Sequence, residues 1–562
     1  MRTKLEIESE YKKWLHHVTD KSLLEELKSM DEASVEDAFY RDLAFGTGGL
    51  RGTIGAGTNR MNKYVVAKAS YGLGRHLLST TNAPSVVIGY DSRIKSDEFA
   101  YVAAGVFSDL GIKVHLWQNL LPVPTVSFAT RELGASAGVM ITASHNPSKY
   151  NGYKVYGSDG CQITTEEANA ILAEIEKVRI FDDPCPRNLN WAQEKGLLSY
   201  IDPSVLTNFL EAVKSQSVLF GDEINKDVAI VYSPLNGTGL KPVIRVLEES
   251  GFTNIKVVEE QKEPDGTFPT CPYPNPEIRE AMRLGLQYCV KTGADLLLAT
   301  DPDADRCGIA VKTASGDYQL LSGNEVGLLL LDYICSQRQK HGKMPEHPIF
   351  IKTIVTMDLA EKIAEHYGVQ TINVLTGFKF IGEVIGKLET EGRISDYICG
   401  FEESYGYLTG AYVRDKDAVN AAFMICEMFA VYKTRGCSLL DKLQELYKTY
   451  GYCLNTLHSY EFPGLAGMEK MQNIMRSFHS GVSSFAEYIV TNTEDYSKGI
   501  NGLPASDVLK FFYAKDSVSG SVVIRPSGTE PKLKSYISVT AKDEDTAREI
   551  EAQIAADIKR RL

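Results

Sequence analysis

The stretch Ala137-Gly138-Val139-Met140-Ile141-Thr142-Ala143-Ser144-His145-Asn146-Pro147, followed closely by Asn151-Gly152-Tyr153-Lys154, decides how the chain is read. Residues 137–141 are an unbroken apolar run, which predicts a buried strand, and residues 153–156 predict a second extended segment. Between them Asn146-Pro147 fixes a turn, because proline presets its own φ and moves the residue before it out of helical space. A serine is thus held at a strand end with His145 and Lys154 beside it. A serine hydroxyl is a weak nucleophile alone, so neighbours that can take or give a proton are what a transferring serine needs. An ordinary polar turn has the same local pattern, and the rest of the chain decides between the two.

Outward from this stretch one order of elements recurs. A helix from Lys63, a strand over Ser85–Tyr90, a helix over 97–110 and a strand over 113–117 lead to the strand before Ser144. The order returns as a strand over 228–232, a helix over 239–250 and strands over 254–258 and 294–300, closing on Asp301-Pro302-Asp303-Ala304-Asp305-Arg306. A third pass has a strand over 348–355, a helix over 357–367, a strand over 369–375 and a segment over 396–400, closing on Phe401-Glu402-Glu403-Ser404-Tyr405-Gly406. Ligands of open α/β sheets sit at the carboxyl ends of strands, so three such loops could share one cleft. After a linker around residues 453–467 the order changes, and an amphipathic helix from Asp543 ends the chain. The expected fold class is α/β with four domains: three related α/β units with mixed sheets and a C-terminal α+β lid domain. Their expected spans are 1–215, including an N-terminal helical segment, then 216–322, 323–450 and 451–562.

At 562 residues the chain is too long for one core, and domains of about 100–150 residues make it roughly four. The net charge of −13 argues against nucleic acid as a bulk partner, which would need a dense positive field. The first 30 residues are charged and helix-patterned, without the apolar core of a signal peptide. No run approaches the roughly 18 apolar residues of a membrane span, so no membrane partner and a cytoplasmic location are expected. The ten cysteines are scattered without a C-x-x-C pair, which favours buried free thiols over disulfides or zinc.

Four further stretches carry chemistry. Asp301, Asp303 and Asp305 alternate, placing three hard oxygen donors on one side of a loop, a set that suits Mg²⁺ or Ca²⁺. An EF-hand is excluded, since Gly308 stands eighth rather than sixth and Lys312 occupies the twelfth position, where a glutamate belongs. Arg306 beside the triad points to an anion next to the ion. Phe45-Gly46-Thr47-Gly48-Gly49-Leu50-Arg51 is a glycine-rich loop without a clear preceding strand; its dinucleotide pattern fails at Arg51, whose planar fork suits a phosphate. Arg525, Ser527, Gly528 and Thr529 form a second anion signal, a guanidinium and two hydroxyls on a glycine-opened backbone. Glu402 and Ser404 offer acceptors for sugar hydroxyls, while Thr376-Gly377-Phe378-Lys379 offers an aromatic surface and a cation.

Thr142-Ala143-Ser144-His145-Asn146-Pro147, the Asp301 to Arg306 loop, Glu402-Glu403-Ser404 and Arg525-Pro526-Ser527-Gly528-Thr529 occur in the order of the alpha-D-phosphohexomutases. From about Phe45 to the C-terminus the chain resembles that superfamily, most of all its phosphoglucomutase branch; Phe401 departs from the glycine that many of those enzymes place there. The resemblance implies a metal-binding second domain, a sugar-recognition third domain and a phosphate-binding fourth. It implies an isomerase that interconverts glucose 1-phosphate and glucose 6-phosphate, with glucose 1,6-bisphosphate as intermediate and activator. Ser144 would carry the phosphoryl group and complete the shell of a Mg²⁺ held by Asp301, Asp303 and Asp305. Arg51 and Arg306 would lie by that group, and Lys154 and His145 would move protons. Thr376, Gly377, Lys379, Glu402 and Ser404 would bind sugar, and Arg525, Ser527, Gly528 and Thr529 the idle phosphate. Small sugar phosphates are the expected partners, of a monomer or homodimer. Phosphopentomutase, phosphomannomutase, glucose 1,6-bisphosphate synthase and a noncatalytic sugar-phosphate-binding protein are the alternatives.

Overall fold

Four β-sheets, each flanked by helices, frame the computed structural model, which describes residues 1–182, 188–462, 464–500, 502–526 and 532–562. The strand Ala137–Ile141 is buried throughout; it runs parallel to Ser85–Tyr90 and antiparallel to Tyr150–Gly157. The second sheet repeats this, with Leu296–Thr300 parallel to Ile230–Ser233 and antiparallel to Cys307–Lys312. In the third sheet Tyr397–Phe401 lies between the parallel Ile349–Thr353 and the antiparallel Tyr407–Thr409. A second parallel neighbour completes each unit: Lys113–Leu116, Ile255–Val257 and Gln370–Val374. The three mixed sheets are therefore equivalent in strand pairing as well as in order. In each, the connection from the third strand to its antiparallel return carries the polar motif.

Two local expectations are corrected. The glycine-rich stretch is a hairpin, Phe45–Gly46 against Gly49–Thr53, and its second strand pairs with Tyr150–Gly157. Gly49 has φ +75°, and a Cβ there would lie 1.8 Å from the Tyr153 carbonyl oxygen, so glycine is what permits this pairing. The expected linker is also structured: Tyr452–Glu461 is the edge strand of the fourth sheet, paired along its length with Lys532–Ala541, and the helix Gly464–His479 follows. An edge strand with many half-exposed positions carries only a weak apolar alternation, which hid it.

The helix Ala418–Thr434 is buried on nearly every side and sits in one apolar cluster that the first, second and third units share. The fourth sheet is antiparallel throughout and has its own core with the helix Glu544–Arg561. It docks on the third unit through a patch that includes Ile354, Val355, Leu375, Tyr496, Val523 and Tyr536. The nine cysteines among the described residues are free, eight of them buried, as expected. Among the described residues no helix is long and apolar enough to cross a membrane.

Candidate active site

Ser144 is 4% exposed and has φ +53°, a left-handed conformation that costs a non-glycine residue energy and needs support. Its N–H donates to Thr142 Oγ1 at 2.8 Å, and Thr142 Oγ1 donates to Asp303 Oδ2 at 3.0 Å. Ser144 Oγ donates to Asp301 Oδ2 at 3.1 Å and lies 3.1 Å from His145 Nδ1. The serine loop of the first unit and the aspartate loop of the second thus meet at the Ser144 hydroxyl. Burial lowers the His145 imidazole well below its usual value, and Arg306 and Arg51 lower it further, so the ring is neutral near pH 7. Arg51 reaches Asn146 Oδ1 at 3.5 Å from its hairpin strand.

The three aspartates are buried, and one ligand oxygen from each lies within 4.8 Å of the others. Six oxygens divide into two sets. Asp301 Oδ1 accepts the N–H groups of Asp305 (3.1 Å) and Arg306 (3.0 Å). Asp303 Oδ2 accepts from Thr142 (3.0 Å) and Lys154 Nζ (3.0 Å), and Asp305 Oδ2 from Lys154 Nζ (3.2 Å) with Lys416 Nζ at 3.1 Å. These three anchored oxygens fix the carboxylates. Asp303 Oδ1 and Asp305 Oδ1 are buried without a hydrogen-bond partner among the described residues, and Asp301 Oδ2 meets only the Ser144 hydroxyl. One hard oxygen per carboxylate is left for a divalent cation, with Ser144 Oγ beside them, and such a donor set fits Mg²⁺.

Electrostatics follow the same division. Burial pushes Asp301 well above the carboxylate range, reinforced by Asp303 and Asp305. Burial also works to raise Asp305, but Lys416, Lys154 and Arg306 outweigh it and hold that carboxyl low. Lys154 is opposite in sign: burial lowers it, Asp303 and Asp305 outweigh burial, and it stays an ammonium. Arg306 pairs with Glu277 and lies 4.0 Å by its Nε from Asp305 Oδ1.

Glu402 is buried in the third-unit loop, and its carboxyl is pushed up to about 7 by burial, against the pull of Lys416. The loop is stitched to the aspartate loop's return strand where the Cys307 N–H donates to the Tyr405 carbonyl at 3.1 Å. Ser404 is half-buried in the same loop. Phe401, the departure from the resembled pattern, points away into the core against Phe350 and Tyr407, with ring centroids at 5.4 and 6.4 Å. Thr376 has a buried hydroxyl without a partner among the described residues, next to Gly377 with φ +121°. Lys379 is half-buried, its Nζ 4.5 Å from the centre of the Phe380 ring. Phe378 does not form the expected aromatic surface: it begins the helix Phe378–Thr390 on that helix's buried side. Arg525 lies on the fourth sheet and meets the Tyr536 hydroxyl, which burial and Glu403 push up. Ser527, Gly528 and Thr529 lie outside the described residues.

Ser144, His145, Lys154, Arg51, Asp301, Asp303, Asp305 and Arg306 therefore converge directly, and Glu402 joins them through Lys416 and Arg306. No contact links Thr376, Gly377, Lys379 or Arg525 to the aspartates among the described residues. Sequence reasoning missed Lys416, Asp415, Glu277 and Arg93. Lys416 joins Asp305 to Asp415, whose Oδ2 accepts from Tyr156 and Gln162, both at 2.9 Å. Its signal was the charged run Arg414-Asp415-Lys416-Asp417 placed directly before a helix with no polar face.

Four family models match in order. Phosphoglucomutase/phosphomannomutase alpha/beta/alpha domains I, II and III match residues 42–180, 207–316 and 322–450, and the C-terminal domain matches 503–557. A phosphoglucomutase of Staphylococcus aureus (strain MSSA476) is 35% identical over 558 residues, 96% of this chain and 98% of that protein. The open form of parafusin, an exocytosis-sensitive phosphoprotein and phosphoglucomutase from Paramecium, superposes with a TM-score of 0.67 at 16% identity, covering 93% of this chain and 96% of that one. Aspergillus fumigatus N-acetylphosphoglucosamine mutase in complex with glucose 1,6-bisphosphate gives 0.51 at 13% identity, covering 99% of each. With its three equivalent α/β units, its serine meeting a buried aspartate triad and these matches along its length, the chain belongs to the phosphoglucomutase/phosphomannomutase family.

Proposed function

We propose that this phosphohexose mutase interconverts glucose 1-phosphate and glucose 6-phosphate through a phosphorylated Ser144 and a glucose 1,6-bisphosphate intermediate. The observation that carries the reading is the Ser144 hydroxyl on Asp301 Oδ2 at 3.1 Å, beside two carboxylate oxygens without hydrogen-bond partners among the described residues. Glucose as substrate is supported by the relatives named phosphoglucomutase at 35% identity, and the bisphosphate by its presence in the A. fumigatus enzyme of the same fold. Phe378 gives the choice of sugar no support, because its ring is in the core. The domain spans 1–215, 216–322, 323–450 and 451–562 belong to the same reading.

Phosphoryl transfer is mostly positioning and charge neutralisation. A Mg²⁺ held by Asp301, Asp303 and Asp305 would, when bound, neutralise charge on the transferring group. Arg306 and Arg51 carry fixed positive charge close enough to be felt by His145, next to Ser144. His145, neutral and 3.1 Å from the serine oxygen, is suited to accept the proton of an attacking hydroxyl, and Lys154, kept as an ammonium, to give one to a departing oxygen. Glu402 and Ser404 accept from sugar hydroxyls, and Arg525 receives the phosphate at the far end. Each turnover delivers one phosphoryl from Ser144 to the sugar and returns the other to Ser144.

A coupled assay with glucose, mannose, ribose and N-acetylglucosamine 1-phosphates, each primed with its bisphosphate, tests both parts. The expected result is highest kcat/KM on glucose 1-phosphate and loss of at least about 10⁴-fold in Ser144→Ala. Full activity in Ser144→Ala would sink the phosphoserine mechanism, and a pentose preference would sink the assignment of glucose.

A further inference from the structure

Arg93 follows the strand Ser85–Tyr90 and is 3% exposed. Its guanidinium donates through Nη1 to the carbonyls of Pro147 (3.1 Å) and Tyr150 (3.2 Å), and through Nη2 to those of Ser144 and Asn146. All four acceptors are main-chain oxygens around the serine turn. Nε lies 3.4 Å from Asp91 Oδ2, while Asp91 Oδ1 accepts from the Arg93 N–H (2.9 Å) and the Ser96 hydroxyl (2.6 Å). Asp91 is the carboxylate in contact with the charge, with Asp303 and Asp301 acting from further off, and the fork itself is spent on the path of a loop. Its other face is covered from the second unit. The Phe268 ring centre lies 5.1 Å from Arg93 Cζ; Phe268 is 1% exposed and itself left-handed, with φ +48°. Gly266 bridges to the Arg93 main chain, and a Cβ at Gly266 would come within 2.4 Å of the Ile94 nitrogen.

We propose that Arg93 is a positioning residue that holds Ser144 in its left-handed conformation, and that Phe268 locks Arg93, so that the serine is presented only when the first and second units are docked. The inference rests on the phosphoserine reading of Ser144. Arg93 touches no reacting atom; it acts through the Ser144 and Asn146 carbonyls, on the residue whose N–H Thr142 holds from the other side. The unit that bears the aspartates thereby also sets the geometry of the group they serve.

Full-length parent, Arg93→Lys and Phe268→Leu can be compared by amide hydrogen exchange over residues 142–152, by thermal melting and by steady-state kinetics. Lysine keeps the charge and loses the fork. In Arg93→Lys, exchange over 142–152 should accelerate at least about tenfold while the strand Lys532–Ala541 keeps its protection; kcat should fall about 100-fold with KM within about threefold. Phe268→Leu should move both readouts in the same direction by less. Unchanged exchange over 142–152 in both variants would overturn the proposal, and so would an acceleration spread evenly over the chain, which would make Arg93 a general stabiliser. A parent inactive on every sugar phosphate would overturn the proposed function instead, and the exchange pattern would still decide the role of Arg93.

Discussion

Phe401 shows how one side chain is accommodated beside the site without entering it. Its ring fills the space left by Gly327, where a Cβ would come within 2.3 Å of two ring carbons. Gly327→Ala should therefore overpack the core and cost about 1–3 kcal/mol, read as a lower denaturant midpoint, and Phe401→Leu in the same chain should recover most of that loss. Additive losses in the double variant would refute the pairing. Glu402 makes a pH prediction. Its carboxyl ordinarily titrates at 4.5 and is pushed up to about 7 by burial, so the folded state holds a proton that the unfolded state has released. Stability from this group is present below the ordinary value and is lost as pH rises through about 7. Between pH 5 and 7.5 the parent's melting temperature should drop by several degrees relative to Glu402→Gln, whose side chain never ionises; parallel curves would count against it.

The element that ties the loops together is the helix Ala418–Thr434 with the charged segment before it. Asp417 caps that helix, accepting from the N–H groups of Val419 (2.8 Å) and Asn420 (3.1 Å), and also accepts the Tyr412 hydroxyl at 2.7 Å. Asp417→Ala removes a cap and orphans a buried hydroxyl, together about 2–4 kcal/mol, and should lower kcat because Lys416 is displaced from Asp305; Asp417→Asn should lose much less. Equal losses in the two variants would contradict the capping account. The repeated units and the serine and aspartate loops were legible because each rests on a local pattern: an apolar run, then turn residues, then closely spaced donors. Arg414 to Asp417 were not, since four adjacent charges read locally as a solvated turn, and only the apolar helix behind them forces them inside. Phe378 was legible and misread: Phe378, Ile381, Ile385 and Leu388 recur at helical spacing and form the buried face of the helix Phe378–Thr390. Arg93 had no local signal, since its four acceptors lie 51 to 57 residues further along the chain.

At the scale of the whole molecule, the fourth unit has a core of its own. It meets the third unit through contacts that include an apolar patch, the Lys510 Nζ donating to the Ile354 carbonyl at 3.1 Å, and the Asp358 carboxylate. Asp358 Oδ1 accepts from Lys510 of the fourth sheet at 2.8 Å and from Lys352 of the third at 3.4 Å, and Asp358 Oδ2 accepts the Ser521 hydroxyl at 2.7 Å. Burial raises the Asp358 carboxyl, but Lys510 and Lys352 outweigh burial and hold it below its ordinary 3.8, so this contact is intact above that value and is lost as pH falls below it. On the proposed mechanism a bisphosphate must be kept from water while it reorients, and closure of the unit that bears Arg525 would do this. Asp358→Asn leaves the Lys510 ammonium facing an amide, while Lys352 keeps Glu361 at 3.0 Å, and the loss falls on the joint rather than on either core. X-ray scattering of the parent should show a smaller radius of gyration with saturating glucose 1,6-bisphosphate than without it. Asp358→Asn should start larger, compact less, and raise KM more than it lowers kcat. Identical parent profiles with and without the bisphosphate would remove closure, and an Asp358→Asn profile equal to the parent's would remove Asp358 as the joint.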